Sequence, residues 1–190
     1  YCTGVGAYKG IDVSEHQGKI NWAQAKTAGV DFAILRCGYA STYADTQWHN
    51  NVQGCLSTGM PFGVYLYSRA TSPEEASKEA DVAISQLKSE GLTGADLAFP
   101  VYFDMEDSKM VGKNYAAIAQ AFFDKLTAAG YPVGTYANLS WWNTYLTSPV
   151  FDNYSKWVAA YNTSIGLTYA PMSNFSEGNG VWQFSDYGVI

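Results

Sequence analysis

The sequence predicts an α/β fold whose parallel sheet is curled into a barrel. Three observations carry that expectation. Short runs rich in β-branched and aromatic residues alternate with helix-like runs, as in strands joined by crossover helices. Five such pairs are followed by strands with little helix between them, which suits a barrel better than an open sheet. No G-x-G-x-x-G stands in the first half, so a dinucleotide-binding sheet has no support. With 190 residues the chain is expected to be one domain, 1–190, large enough to bury a substantial core.

Each element follows from local pattern. Residues 10–13 read as a strand, and Asn21 to Ala28 as a short helix ending at Gly29. Asp31 to Cys37, carrying Phe32, Ile34 and Leu35, reads as a buried strand. Thr46 to Thr58 is a helix stopped by Gly59, and Phe62 to Tyr67 is the next strand. Ser72 as N-cap, Pro73 at the first helical position and Glu75 completing a capping box open the clearest helix. Ala76, Ala80, Ile84 and Leu87 mark its apolar face, and Gly91 ends it. Phe99 to Glu106 is a strand, Tyr115 to Ala129 a helix, Pro132 to Ala137 a strand and Trp141 to Tyr145 a short helix. Lys156 to Tyr161 and Val181 to Ser185 complete the strands.

Composition narrows the function. Net charge is −6, against the Lys- and Arg-rich surfaces that bind nucleic acid or anionic membranes. No segment approaches the 18 or so apolar residues of a membrane helix. A chain opening on Tyr1 rather than Met is expected to be a processed or cut product. Three cysteines, Cys2, Cys37 and Cys55, fit no zinc spacing and read as buried thiols with at most one bridge.

In a βα barrel the reactive groups sit at the C-terminal ends of the strands. Two strand ends carry carboxylates. One is Asp12, in Gly10-Ile11-Asp12-Val13-Ser14-Glu15-His16-Gln17-Gly18; the other is Tyr102-Phe103-Asp104-Met105-Glu106-Asp107. Strand alternation puts Tyr102, Asp104 and Glu106 on one face, with the acids' Cα atoms about 6.8 Å apart. Like charges in a partly dry cleft raise at least one pKa, so one carboxyl donates a proton while the other stays ionised. Glycoside hydrolysis needs that division of labour. Glu106, nearer the strand end, is the candidate acid; Asp104 is expected to stay ionised. A structural pairing of these acids with Arg36, a lysine or backbone amides fits the spacing equally well, and a carboxylate-held hard cation is a third reading.

Several motifs, in order, resemble one family. They are Asp12 to Gly18; Phe32-Ala33-Ile34-Leu35-Arg36-Cys37-Gly38-Tyr39; Gly63-Val64-Tyr65-Leu66-Tyr67-Ser68; Asp104-Met105-Glu106; Trp157-Val158-Ala159-Ala160-Tyr161; and Trp182-Gln183-Phe184-Ser185. Together they are similar to the glycoside hydrolase family 25 lysozymes of the Chalaropsis or cellosyl type, found also among phage endolysins and bacterial autolysins. The resemblance implies a modified TIM-like barrel of about eight strands and five helices, (βα)5β3. It implies an N-acetylmuramidase that cuts the β-1,4 bond from N-acetylmuramic acid to N-acetylglucosamine in peptidoglycan. By the family pattern Glu106 is the acid, Asp104 and Asp12 are the supporting carboxylates, and no metal or cofactor is needed. The expected partner is the peptidoglycan glycan strand, met by a secreted or phage-delivered monomer with no nucleic acid and no membrane insertion. Two other readings are a non-catalytic wall-binding barrel and a chitinase-like glycosidase. Family members usually run on to a further strand bearing another Asp; here the chain stops at Ile190, and Asp186 does not match that position.

The spacing leaves inverting, retaining and substrate-assisted routes open. The resemblance favours the last, with Asp104 orienting the substrate's 2-acetamido group. Sugar rings stack C–H faces on aromatic rings and need polar edges for their hydroxyls. Tyr65, Tyr67, Tyr136, Tyr161, Trp182, Gln183 and Arg36 are therefore the expected substrate-binding residues. Arg36 ends an apolar strand, and a buried Arg demands a carboxylate, either a site acid or a structural one. His16 reads as a hydrogen-bonding loop residue. Asn138, Asn153, Asn162 and Asn174 each open an N-x-Ser/Thr pattern.

Overall fold

A computed structural model of the chain describes residues 2–4, 8–161 and 180–186. Its strands are β1 (Cys2–Gly4), β2 (Tyr8–Val13), β3 (Phe32–Tyr39), β4 (Tyr43–Ala44), β5 (Phe62–Tyr67), β6 (Val101–Asp104), β7 (Val133–Asn138), β8 (Ser155–Ala159) and β9 (Val181–Gln183). Five α-helices accompany them among the described residues: α1 (Trp22–Thr27), α2 (Trp48–Thr58), α3 (Pro73–Ser89), α4 (Tyr115–Ala128) and α5 (Leu139–Thr144).

The parallel pairings run β2–β3–β5–β6–β7–β8–β9. The curled sheet then returns on itself through β1, which is antiparallel to both β9 and β2. Sequence pattern missed β1, because three residues carry no periodicity. It also missed β4, which folds back antiparallel on the end of β3. The fold is thus the expected α/β barrel type with five helices, but it is not a uniform TIM barrel. Three of its strand pairings are antiparallel, and β8 to β9 has no α-helix among the described residues.

Alternation along each strand sorts two cores. Leu35, Cys37, Val64, Leu66, Phe103, Met105, Ala137 and Val158 face outward and pack on helix residues such as Val52, Ala80, Leu87, Phe122 and Leu126. Phe32, Ile34, Tyr102, Tyr136, Trp157 and Val181 form the separate inner cluster. Trp157 is central there: the rings of Tyr65, Tyr102 and Tyr136 lie 5.7, 5.3 and 4.4 Å from its own. The outer layer needs close approach as well. A Cβ on Gly54 of α2 would fall 1.9 Å from the Trp22 ring of α1.

Helix α3 begins as its sequence predicts, with Ser72 Oγ accepting from Glu75 N at 3.3 Å. The predicted capping box does not close. The Glu75 carboxylate instead takes Thr71 N and Thr71 Oγ1, at 2.7 and 2.9 Å, because Thr71 offers two donors side by side. Cys37 and Cys55 are free and buried, and burial pushes the Cys55 thiol up to about 12. The side chain of Cys2, and Asn162 and Asn174, lie outside the described residues.

One buried acid in α3 could not have been anticipated. Glu79 is 2% exposed, and burial pushes its carboxyl up to about 7 despite bonds from Ser68 Oγ and Arg69 N. The folded state therefore holds this proton more tightly than the unfolded chain. Stability from Glu79 is fully present below about pH 4.5 and is lost as pH rises through about 7, by on the order of 3 kcal/mol. Glu79→Gln is expected to flatten that decline, read from urea unfolding at pH 5 and pH 7.5. An unchanged slope removes Glu79 as its source.

Candidate active site

The parallel strands all deliver their C-terminal ends to one rim. On β6, Asp104 is in register with Tyr67 of β5 on one side and Tyr136 of β7 on the other. Asp12 of β2 pairs with Ile34 of β3, an inner-cluster residue, and so takes the inward face. The strand stops at Asp104; Met105 holds on through Met105 N to Tyr136 O at 2.9 Å. Glu106 lies beyond the strand and is half-buried, so it stands at the rim rather than inside the barrel.

Gln183, at the end of β9, joins three of these elements. Its Oε1 accepts from Tyr136 Oη at 2.8 Å and from Tyr161 Oη at 2.7 Å. Its Nε2 donates to Asp12 Oδ2 at 2.9 Å. An amide suits this place because it accepts on one side and donates on the other. Gln183 is buried, so the network aims Asp12 with little freedom.

Burial dominates the electrostatics. Asp104 is 3% exposed, and its Oδ1 is buried with no hydrogen-bond partner among the described residues. Desolvation holds its carboxyl well above the usual range, and the charges of Glu106 and Asp12 push the same way; Arg36 partly opposes them. Glu106 is also raised, by burial first and then by Asp12 and Asp107. Burial and the neighbouring acids therefore work against the expectation that Asp104 stays ionised in the free protein. It is the deeper acid and holds a proton more strongly than an ordinary carboxylate.

The other expected residues divide. Tyr136 and Tyr161 meet at Gln183, with the Tyr136 hydroxyl raised by burial and that of Tyr161 pushed by burial up to about 12. Tyr161 lies past the end of β8 and is 44% exposed. The Tyr65 hydroxyl is raised by burial and then by Asp12 and Asp104, which puts it among the carboxylates. Tyr67 stacks on Tyr39 with centroids 5.3 Å apart, and Asp104, Asp107 and Glu106 add to the burial that raises its hydroxyl.

Trp182 is not brought to the inward face. It precedes Gln183 by one position, so alternation turns it to the other side of β9. Its Nε1 donates to Ala160 O at 3.0 Å, and its ring packs on Phe184 at 5.6 Å. Arg36 does not pair with a site acid. Nε donates to Asp45 Oδ2 at 2.7 Å and Nη2 to Glu15 Oε1 at 3.0 Å, in a network that also holds Tyr43 and Thr46. Only its field reaches the carboxylates. His16 is part of a loop capped by Ser14 and Gln17. Tyr39, Arg69 and Asp107, which also gather at this rim, were missed. Each had a signal beside it: Tyr39 closes the Phe32–Tyr39 motif, Arg69 follows the Gly63–Ser68 motif, and Asp107 directly follows Glu106.

Comparisons with known proteins bear on the family and the fold. The profile of glycosyl hydrolases family 25 matches residues 11–190. Lysozyme M1 of Streptomyces globisporus is 27% identical over 96% of this chain, and the chain spans 63% of that protein's length. The N,O-diacetylmuramidase of Chalaropsis sp is 26% identical over 72% of the chain and 68% of its own. Among solved structures, the bacterial lysozyme from Streptomyces coelicolor superposes with a TM-score of 0.75 at 26% identity. That match covers 97% of this chain and 87% of the other.

Proposed function

The chain belongs to glycosyl hydrolases family 25, and from that premise we propose that it is an N-acetylmuramidase of bacterial peptidoglycan. The bond cut is the β-1,4 link from N-acetylmuramic acid to N-acetylglucosamine. The observation that carries this reading is the trio Asp12, Asp104 and Glu106 at one rim, with Asp104 Oδ1 buried and unsatisfied. A buried acceptor without a donor costs free energy unless a ligand supplies one. The N–H of a 2-acetamido group is such a donor.

The chemistry then follows. Glu106, protonated because burial and neighbouring acids raise its proton affinity, gives its proton to the glycosidic oxygen. The C1–O bond breaks and the N-acetylglucosamine side leaves as an alcohol. The substrate's own acetamido oxygen closes on C1, while Asp104 Oδ1 accepts the amide N–H and favours its ionised form. As substrate binds, Asp104 gives up any proton it holds to solvent water, and Glu106 keeps its own as the proton donor. Water then adds to C1, Glu106 takes up its proton, and the acetamido oxygen is released. Asp12, aimed by Gln183, supports the positive charge that develops at C1.

Tyr67, Tyr136, Tyr161 and Tyr65 line the sugar site, and Arg36 acts on it only through its field. No helix of the described residues is long and apolar enough to cross a membrane. We place the protein at the cell wall, after export or phage delivery, as a monomer with no nucleic-acid partner.

Digestion of purified peptidoglycan, followed by borohydride reduction of the new ends, tests the reading. Reduced muramic acid is expected. Reduced glucosamine overturns the bond assignment. Binding without new ends supports the non-catalytic barrel, and faster release from chitin oligomers supports the chitinase-like reading.

A further inference from the structure

The segment after β5 contacts the rim without belonging to the proposed chemistry. Ser68 N donates to Asp104 O at 3.0 Å, tying the segment to the end of β6. Ser68 Oγ donates to Glu79 Oε2 at 2.6 Å, and Arg69 N to Glu79 Oε1 at 2.9 Å. Ala70 N closes the turn on Ser68 Oγ at 3.1 Å. A buried carboxyl group on α3 thus holds two successive residues of this loop, Ser68 and Arg69. The loop aims the Arg69 side chain back across the rim. Its Nη1 donates to Tyr39 Oη at 2.6 Å, and Cζ lies 5.4 Å from the centre of the Tyr39 ring. Its Nε lies 3.1 Å from Asp107 Oδ2.

Asp107 directly follows Glu106. It also caps the turn that leaves the site, its Oδ1 accepting from Lys109 N at 2.9 Å. We propose that Arg69 is a positioning residue for Glu106. Seated by Glu79, it clamps Asp107 against Tyr39 and so sets both the direction and the charge surroundings of the acid. The inference rests on the assignment of Glu106 as proton donor.

Among the described residues, titratable and charged groups face Glu106 from several elements. Asp12 of β2, Asp104 of β6 and Asp107 are anionic or acidic neighbours. Tyr67 of β5, Tyr136 of β7 and Tyr161 beyond β8 add hydroxyls, each of which feels the Glu106 charge. Arg36 of β3 is committed to Glu15 and Asp45. Arg69 is the cation that faces Asp107, and Asp107 raises the proton affinity of Glu106. Losing Arg69 leaves Asp107 uncompensated, so Glu106 releases its proton at higher pH. Losing the Asp107 charge acts in the opposite sense. A partly exposed ion pair contributes little to stability, so a purely structural role predicts neither result.

The test uses Arg69→Met, Arg69→Lys and Asp107→Asn in the full chain. On soluble peptidoglycan fragments Arg69→Met is expected to lower kcat about tenfold with KM little changed. Its alkaline limb of activity moves to higher pH, and that of Asp107→Asn to lower pH. Arg69→Lys restores the limb and part of kcat. The same shifts are expected in the Glu106 side-chain carboxyl titration, followed by carbon-13 NMR. Unmoved limbs and titration midpoints overturn the proposal, as does a loss confined to KM. Should the wild type release no sugar ends, the functional reading fails, while the NMR arm still decides whether Arg69 and Asp107 act on Glu106.

Discussion

Glu106→Gln is expected to abolish wall lysis, with a fall of about a thousandfold or more in turnover and no loss of fold. The amide keeps the shape of the acid and its half-buried seat, so packing is not disturbed. What it lacks is a transferable proton. Activity of the wild type requires Glu106 to be protonated, so it declines as pH rises through the elevated pKa of that group. Any residual activity of the variant should lose that limb. Turbidity clearing of cell walls across pH, with circular dichroism as the folding control, measures both. A variant with near-full activity removes Glu106 from the acid role.

Asp104→Asn is expected to separate catalysis from stability. A carboxyl that is 3% exposed with one oxygen unsatisfied is costly to bury. At a pH where Asp104 ionises, the neutral amide removes that cost and the repulsion from Asp12 and Glu106. The thermal midpoint should therefore rise. Turnover should fall by about a hundredfold or more, because the amide cannot carry the charge that orients and polarises the substrate amide. The two measurements together are the test. A variant that loses activity and stability in parallel would make Asp104 a structural acid instead.

Parts of the site were legible because they obey a local rule. Asp104 interrupts an apolar strand, and the two-residue alternation correctly puts it with Tyr102 on the inner face. The same rule, extended to Glu106, assumed a strand that in fact ends at Asp104. Trp182 and Gln183 came from one motif, yet they face opposite sides of β9. A motif gives order along the chain, while the pleat decides direction. The partner of Arg36 was ambiguous because Glu15 and Asp45 lie 21 and 9 positions away, in loops of no regular period. Glu79 reads as an ordinary polar position of α3, and its burial arises only where the loop after β5 folds over it. Strand β1 was invisible because its evidence is entirely its two neighbours.

By itself, the sequence determined the alternation of strands and helices and the parallel sheet. These depend on side-chain period and on residue type, which are properties of the chain alone. Only the tertiary structure decided how the sheet returns on itself, which acids are buried with raised proton affinity, and which neighbours surround them. Proton affinity depends on how much water is excluded and which charges stand nearby. Those are distances across strands, and no linear order of residues contains them.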